Sequence, residues 1–333
     1  MPLWTDLIDP ATLTGYVRAS LQAYEEAKGS LSRWLPNVLV NDINVRFIQG
    51  PNGLVAEARF RAYDAEAEIG KLDGGKRVTL ELPALSLTIP VSEYDQLRNR
   101  RAPDIDVKRA ILDTADIIAR GISDRMERLR GTVLRTGKAT VNQDNYLIDE
   151  DFGRDPALNV TATTLWTTAA VDRLGQMQDY FDLYRSKNNG EAPGTILASQ
   201  RAFRALQSGS QLATALVGGG SRPASVAEVH NTVEGAGFPA ITIYDRSTSG
   251  GRVLPDDTIL LLPAQGQSAL GATFWGATLT STDPDYQLAG REPGVVTGVY
   301  RGEKPPMIAE VIGDAIGMPV LANANLSMAI KVL

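Results

Sequence analysis

A chain of 333 residues that is 43% apolar and 22% charged has the make-up of a globular protein with one elaborate domain or two. Its net charge of −6 gives no electrostatic footprint for nucleic acid, and the absence of cysteine excludes disulfides, thiolate metal sites and cysteine nucleophiles. No apolar run is long enough to span a membrane, and the opening MPLWTDLIDP lacks the basic and apolar regions of a signal peptide, so a cytoplasmic protein is expected.

Residues 1–50 read as an extended arm with one short helix. Asp9-Pro10 starts that helix, and Gly29, after Lys28, ends it. Residues 30–44, with Trp34-Leu35-Pro36, read as irregular, and their apolar side chains need a surface on this subunit or on a neighbour. Residues 54–91 read as a long two-stranded hairpin. Its first strand alternates Val55, Ala58, Phe60 and Ala62 with charged residues, and its second runs from Arg77 to Ile89. The turn between them is Lys71-Leu72-Asp73-Gly74-Gly75-Lys76, whose glycines supply the positive φ that a tight hairpin requires. A two-stranded ribbon is marginal by itself, so it is expected to lie on something.

The stretch from Asp104 to Thr136 is the longest regular signal. Val107, Ile111, Ala115, Ile118, Ile122, Met126, Leu129 and Val133 recur in steps of four, four, three, four, four, three and four. That is the period of an amphipathic helix. At about 1.5 Å per residue it extends roughly 50 Å, the span of a whole subunit. Asp113, Asp116, Arg120, Asp124, Glu127 and Arg128 occupy its other sides, and Gly137 ends it. Gly121, in the middle, predicts a bend or a close contact.

Residues 139–141 and 145–149 read as strands, followed by the turn Asp151-Phe152-Gly153-Arg154. A second helix is expected from Thr167 to about Ser186, a buried strand over 195–198, and a helix capped by Ser199. Gly218-Gly219-Gly220 reads as a loop, Ser225 as the start of another helix, 240–244 and 258–262 as strands, and Ser247 to Gly251 as a turn. Strands then follow over 295–300, 307–312, 319–321 and 326–332. Helix and strand alternate over 160–262 with β structure on either side, which predicts an α+β protein carrying an inserted α/β-type lobe.

No catalytic constellation emerges. Gly131 to Thr140 fails the phosphate-loop pattern: five residues separate its glycines and Ala139 follows Lys138. It also sits at a helix C-terminus, where phosphate is repelled. His230 is the single histidine and no serine occupies a nucleophile elbow, so no Ser–His–Asp set exists. Asp149-Glu150-Asp151 and the Asp283, Asp285 pair read as solvated acidic turns without Ca²⁺-loop spacing. Arg98, Arg100 and Arg101 form a basic run suited to phosphate, to a subunit contact or to water. No enzyme activity, cofactor or metal is expected.

The order arm, hairpin, very long helix, short sheet, inserted lobe and returning strands resembles the major capsid proteins of tailed bacteriophages with the Hong Kong 97-type (HK-97-like) fold. The lambda-type major head protein family is the most similar. Three stretches carry the likeness: Asp151-Phe152-Gly153-Arg154 after the long helix, Leu254-Pro255-Asp256-Asp257-Thr258 in the lobe, and Met307 through Pro319-Val320-Leu321-Ala322-Asn323 to Leu333. The resemblance implies an N-terminal arm (1–53), an extended loop over an adjacent subunit (54–92), and a peripheral domain (93–159 and 295–333) containing the spine helix 104–136. It also implies an axial domain (160–294). It places inter-subunit contacts at the hairpin tip, Lys71, Asp73, Gly74, Gly75, Lys76 and Arg77. It makes Gly121 a bend in the spine, and puts Gly218, Gly219, Gly220, Ser249, Gly250 and Gly251 in axial loops at the capsomer centre. The implied partners are further copies of the chain in hexamers and pentamers, scaffolding, portal and decoration proteins, and packaged DNA bound without sequence specificity, with no membrane. The implied setting is a virion capsid assembled in the host cytoplasm. The alternatives are an encapsulin-type bacterial compartment and an α/β enzyme or binding protein built on the lobe.

Overall fold

The computed structural model describes residues 1–49, 76–92, 104–143, 146–168, 170–210, 212, 224–266, 269–288 and 290–333. The arm helix α1 (Pro10–Lys28) forms where its caps dictate. The Asp9 carboxylate accepts from the Thr12 amide at 2.8 Å, and Gly29, at φ +69°, closes the last turn onto the carbonyls of Glu25 and Glu26. Its apolar face, Leu13, Val17 and Leu21, is buried on this same subunit.

The Thr12 amide holds the Asp9 pKa below its ordinary value. The ionised form is therefore the stabilising one. Its contribution is present above the unfolded pKa of about 4 and is lost as pH falls through the folded value. Asp9→Ala is expected to lower stability by about 1 kcal/mol at neutral pH. The gap between the two thermal melts should close below about pH 4. A gap that stays constant with pH would show that the carboxylate charge contributes nothing.

The spine helix α2 (Asp104–Thr136) has the predicted bounds and the predicted buried stripe: Ile111, Ala115, Ile118, Ile122, Met126 and Val133. Gly137 (φ +72°) stops it, its amide donating to the Val133 carbonyl at 2.8 Å. One sheet lies under α2. Its central strand is β15 (Ala309–Leu321), flanked by β13 (Gly271–Gly276), β14 (Val296–Arg301) and β4 (Ala84–Val91), with β1 (Asn37–Leu39) parallel to β13. The first half of β15 pairs with β14 and β4 on opposite sides, and the second half pairs with β13. The expected strands 307–312 and 319–321 are therefore one strand, made continuous because a different neighbour pairs with each half. Gly313 lets α2 approach β15, since a Cβ there would clash with Ile118.

The hairpin departs from expectation at its base. Residues 77–89 are not one strand. β3 (Lys76–Glu81) pairs antiparallel with β2 (Asn44–Gln49), whereas β4, after Leu82-Pro83, joins β15. Pro83, without an N–H, separates the two ladders. The ribbon's described foot thus begins at Asn44 rather than at 54, within the stretch read as arm. It rests on its own chain: Val45, Leu80 and Leu82 are buried, and Phe47 packs on Phe152 with ring centroids 6.4 Å apart.

The lobe has its own sheet, β7 (Asn159–Thr161), β16 (Met328–Lys331), β12 (Thr258–Leu262), β8 (Thr195–Ala198) and β9 (Ile241–Ile243), in that order. Helices α3 (Arg173–Lys187), α4 (Gln200–Gln207) and α5 (Val226–Gly235) accompany it. Ser199 caps α4, and Ser225 with Glu228 forms a capping box on α5. Helix α3 starts at Arg173 and not at Thr167, because the Asp172 carboxylate caps the Gly175 amide at 2.7 Å. The Arg173 guanidinium also holds the Trp166 and Thr168 carbonyls in a non-helical turn. The sheets cross the expected domain borders. β13, inside 160–294, belongs to the spine sheet, and β16, inside 295–333, belongs to the lobe sheet. Strand pairing between distant segments decides this, and no local pattern announces it.

Two short antiparallel pairs lie outside these sheets. The ribbon β5 (Lys138–Gln143) and β6 (Tyr146–Asp151) follows α2, and the turn β10 (Ser247–Thr248) and β11 (Gly251–Arg252) follows β9.

Candidate functional site at the spine-helix junction

Helices α1 and α2 run side by side in the same direction. Tyr16 and Ser20 donate to Asp116 at 3.1 and 2.6 Å, and Tyr24 donates to Asp124 at 3.3 Å. The ladder leads to a buried charged cluster. Glu127 and Arg130, fully buried, sit one turn apart on α2 and pair with each other at 3.1 Å. Arg130 reaches Glu25 of α1 at 2.6 Å, Ser30 at 3.0 Å, Thr273 of β13 at 3.0 Å and Asn37 of β1 at 2.5 Å. The Trp275 indole also donates to Asn37 at 2.9 Å. Glu127 accepts from Ser30 at 2.6 Å, the Leu31 amide at 2.7 Å and the Tyr244 hydroxyl at 2.6 Å. One pair of helical residues thus ties together the arm, the spine sheet and the lobe.

The lobe reaches the cluster through the segment after β9. Burial, and then the Glu127 charge, push the Tyr244 hydroxyl far above its ordinary pKa, so it stays a donor. Arg246 donates to Asp124 at 2.8 Å and to Ser123 at 3.4 Å, lies over the Tyr24 ring at 5.2 Å, and approaches Glu127 to 3.6 Å. Burial alone would lower its pKa, but the hydrogen bond to Asp124 and the Glu127 charge raise it. Two glycines permit the close approach. A Cβ on Gly131 would strike Val253, and one on Gly250 would strike the Arg128 guanidinium. Asp124, Glu127, Arg128 and Gly131, at i, i+3, i+4 and i+7, therefore form the face of α2 that receives the lobe.

A second buried arginine closes the other end. Arg154 donates to the Leu134 carbonyl at 2.9 Å and to the Ser327 carbonyl and hydroxyl, each at 3.2 Å. It also bonds the Arg135 carbonyl and Asn159. A cation there complements the C-terminal carbonyls of α2. Burial, with Arg135 nearby, pulls its pKa down to about 10, so it remains charged at neutral pH.

The residues singled out in the sequence are dispersed. Lys71, Asp73, Gly74, Gly75, Gly218, Gly219, Gly220 and the run Arg98, Arg100, Arg101 lie outside the described residues. Lys76 and Arg77 begin β3. At Gly121 the structure shows the close contact: a Cβ there would lie 2.8 Å from Leu87 of β4. Ser249, Gly250 and Gly251 are exposed, in and beside the turn between β10 and β11. The β10–β11 turn folds back on α2, where the missing Cβ of Gly250 admits Arg128. His230 stacks on Phe203, ring centroids 5.5 Å apart. Asp151 pairs with Lys138 at 2.8 Å, and Asp283 caps a short turn. Among the described residues no group of three histidines and carboxylates is placed to hold a metal ion, and no helix is long and apolar enough to cross a membrane. The cluster is not legible in the sequence, because Glu127 looks like one more solvated charge on an amphipathic helix. Gly131, a helix-interior glycine on the same face, was its one local signal.

The family model for phage major capsid protein E matches residues 44–282. A protein described as a prophage capsid protein from Escherichia coli CFT073 superposes with a TM-score of 0.64 at 14% identity, covering 96% of this chain and 99% of that one. A phage-related protein from Bordetella bronchiseptica RB50 gives 0.58 at 12% identity over 98% of each chain. The capsid of a native GTA particle gives 0.52 at 14% identity, over 91% of this chain and 90% of that one. No curated protein matches the chain.

Proposed function

The chain belongs to the phage major capsid protein E family and is a structural capsid subunit with the Hong Kong 97-type fold, and on that premise we propose how it acts. Copies associate as hexamers and pentamers that close an icosahedral shell around double-stranded DNA in the host cytoplasm, with scaffolding, portal and decoration proteins as partners. The role is structural rather than catalytic. The observation that carries this reading is the family match over 44–282, which takes in the ribbon, the spine helix and most of the lobe.

The subunit's build supports it. The arm runs along the spine, and the lobe is joined to the spine by buried charges. The domain assignment is part of the proposal: arm 1–53, extended loop 54–92, peripheral domain 93–159 with 295–333, and axial domain 160–294, with β13 and β16 exchanged between the last two. The DNA lies inside the shell and is held without base recognition, in keeping with the net charge of −6.

Sedimentation and electron microscopy of the purified protein test the reading. Capsomers and closed particles are expected, and a protein that stays monomeric at every concentration overturns it. Gly74→Pro with Gly75→Pro forbids the positive φ that the sequence predicts for the hairpin tip. Assembly is expected to stop while the lobe stays folded by circular dichroism. Normal particles from this variant would remove the tip from the contacts.

A further inference from the structure

Resting on the shell reading, we propose that the open edge of β4 is a docking site for a second copy of this chain. Two β4 strands pair antiparallel across a two-fold axis, with Leu87 on the axis, and join two spine sheets into one. β4 is an edge strand. β15 lies on one side of it, and among the described residues no backbone hydrogen bond reaches the other side of Ala84 to Pro90. The opposite margin of the sheet is closed by the start of the chain. Leu3 bridges Tyr300 of β14, the Trp4 amide donates to the Val299 carbonyl at 2.7 Å, and the Arg301 amide donates to the Pro2 carbonyl at 3.1 Å. Edges left open are usually blunted by charge or by short length. β4 has neither defence: it is 8 residues long, and its sequence ALSLTIPV carries no charge. Its one blunting residue, Pro90, stands next to its end.

The strand itself specifies the occupant. An uncharged strand meets no like-charge repulsion when it pairs with its own copy, and a two-fold axis lets one edge serve both partners. Matching the faces then sets the register. Leu85, Leu87 and Ile89 face α2 and are only half-buried, whereas Ala315 and Val311, opposite Leu85 and Ile89 on β15, are fully buried. The cover missing on these three residues is on the open side. Ala84, Ser86, Thr88 and Pro90 occupy the other face and are exposed. A slip of one residue would set the apolar face of one copy beside the polar face of the other. With Leu87 opposite itself, Leu85 meets Ile89, Ser86 meets Thr88 and Ala84 meets Pro90. That register uses the whole open edge and leaves Pro90, which has no N–H, in the outermost pair.

Because the chain has no cysteine, disulfides can report the pairing. Ser86→Cys and Thr88→Cys subunits are prepared separately and assembled together. In this register the two thiols face each other with Cβ atoms about 5 Å apart, close enough to bridge after small adjustment. In either variant alone the equivalent residues lie on a diagonal, about 7–8 Å apart. Mixed assemblies are expected to give a crosslinked dimer on non-reducing gels, several-fold more than either variant alone. No crosslinked dimer from the mixture, or equal amounts from all three, overturns the proposal. Ser86→Lys with Thr88→Lys sets like charges opposite each other and should abolish association through this edge, with the melting temperature of the unassembled subunit unchanged. Ser86→Lys with Thr88→Asp in one chain sets opposite charges face to face and should restore it. Normal shells from the double-lysine variant overturn the proposal. Crosslinked dimers from a protein that forms no shells overturn the proposed function and leave the strand pairing standing.

Discussion

Arg130→Ala is expected to lower the unfolding free energy by about 3–5 kcal/mol, the range seen when one partner of a buried ion pair is removed. The guanidinium is fully buried and serves Glu25, Glu127, Ser30, Asn37 and Thr273 together. Without it, Glu25 loses its ion pair in the interior and Glu127 keeps only the more distant Arg246, at 3.6 Å, and the contact between the arm and β13 loses its centre. Desolvation of the charges opposes their attraction, so the network is a source of specificity more than of net stability. Replacing all three charges at once, Arg130→Met with Glu25→Gln and Glu127→Gln, is therefore expected to restore most of the loss. Urea denaturation followed by the fluorescence of the four tryptophans measures both. A single substitution that costs less than about 1 kcal/mol would mean that water enters and solvates the acids.

The second large effect is expected at Arg154→Ala, about 3 kcal/mol, from orphaning buried carbonyls at the end of α2 and beside β16. Lysine should recover less than half, because a point ammonium cannot span the fork that reaches Leu134, Arg135, Ser327 and Asn159 together. Hydrogen exchange localises the damage. The last turn of α2 and strand β16 should lose protection together, while α4 and α5 keep theirs. Loss spread evenly over the chain would instead indicate global destabilisation. In a shell subunit the two substitutions differ in kind: Arg130 joins the arm to the spine helix and its sheet, whereas Arg154 locks the end of the spine to the lobe sheet.

Much of this subunit is legible in the sequence because much of it is local. The apolar period from Ile111 to Val133 fixes α2, and Gly137 fixes its end. Asp9 and Gly29 bound α1, and Ser199 and Ser225 start α4 and α5, since a cap needs only its own first turn. The runs 195–198 and 258–262 are strands for the same reason, being short, apolar and bounded by turn residues. From these elements in order, the capsid resemblance follows.

What the tertiary structure decides is partnership. A period of two marks a strand without saying which strand it meets. So the sequence could not place β3 with β2 and β4 with β15, nor assign β13 to one sheet and β16 to the other. Nor does any local pattern in the Ser249–Gly251 turn place Gly250 against Arg128. Glu127 and Arg130 are the sharpest case. On a helical wheel they are ordinary charges on the polar side, and only the folding of the arm over one side and the lobe over another takes them out of water. Burial belongs to the assembly of elements and not to any one of them, so the junction that holds the subunit together is written in residues whose role no local pattern specifies.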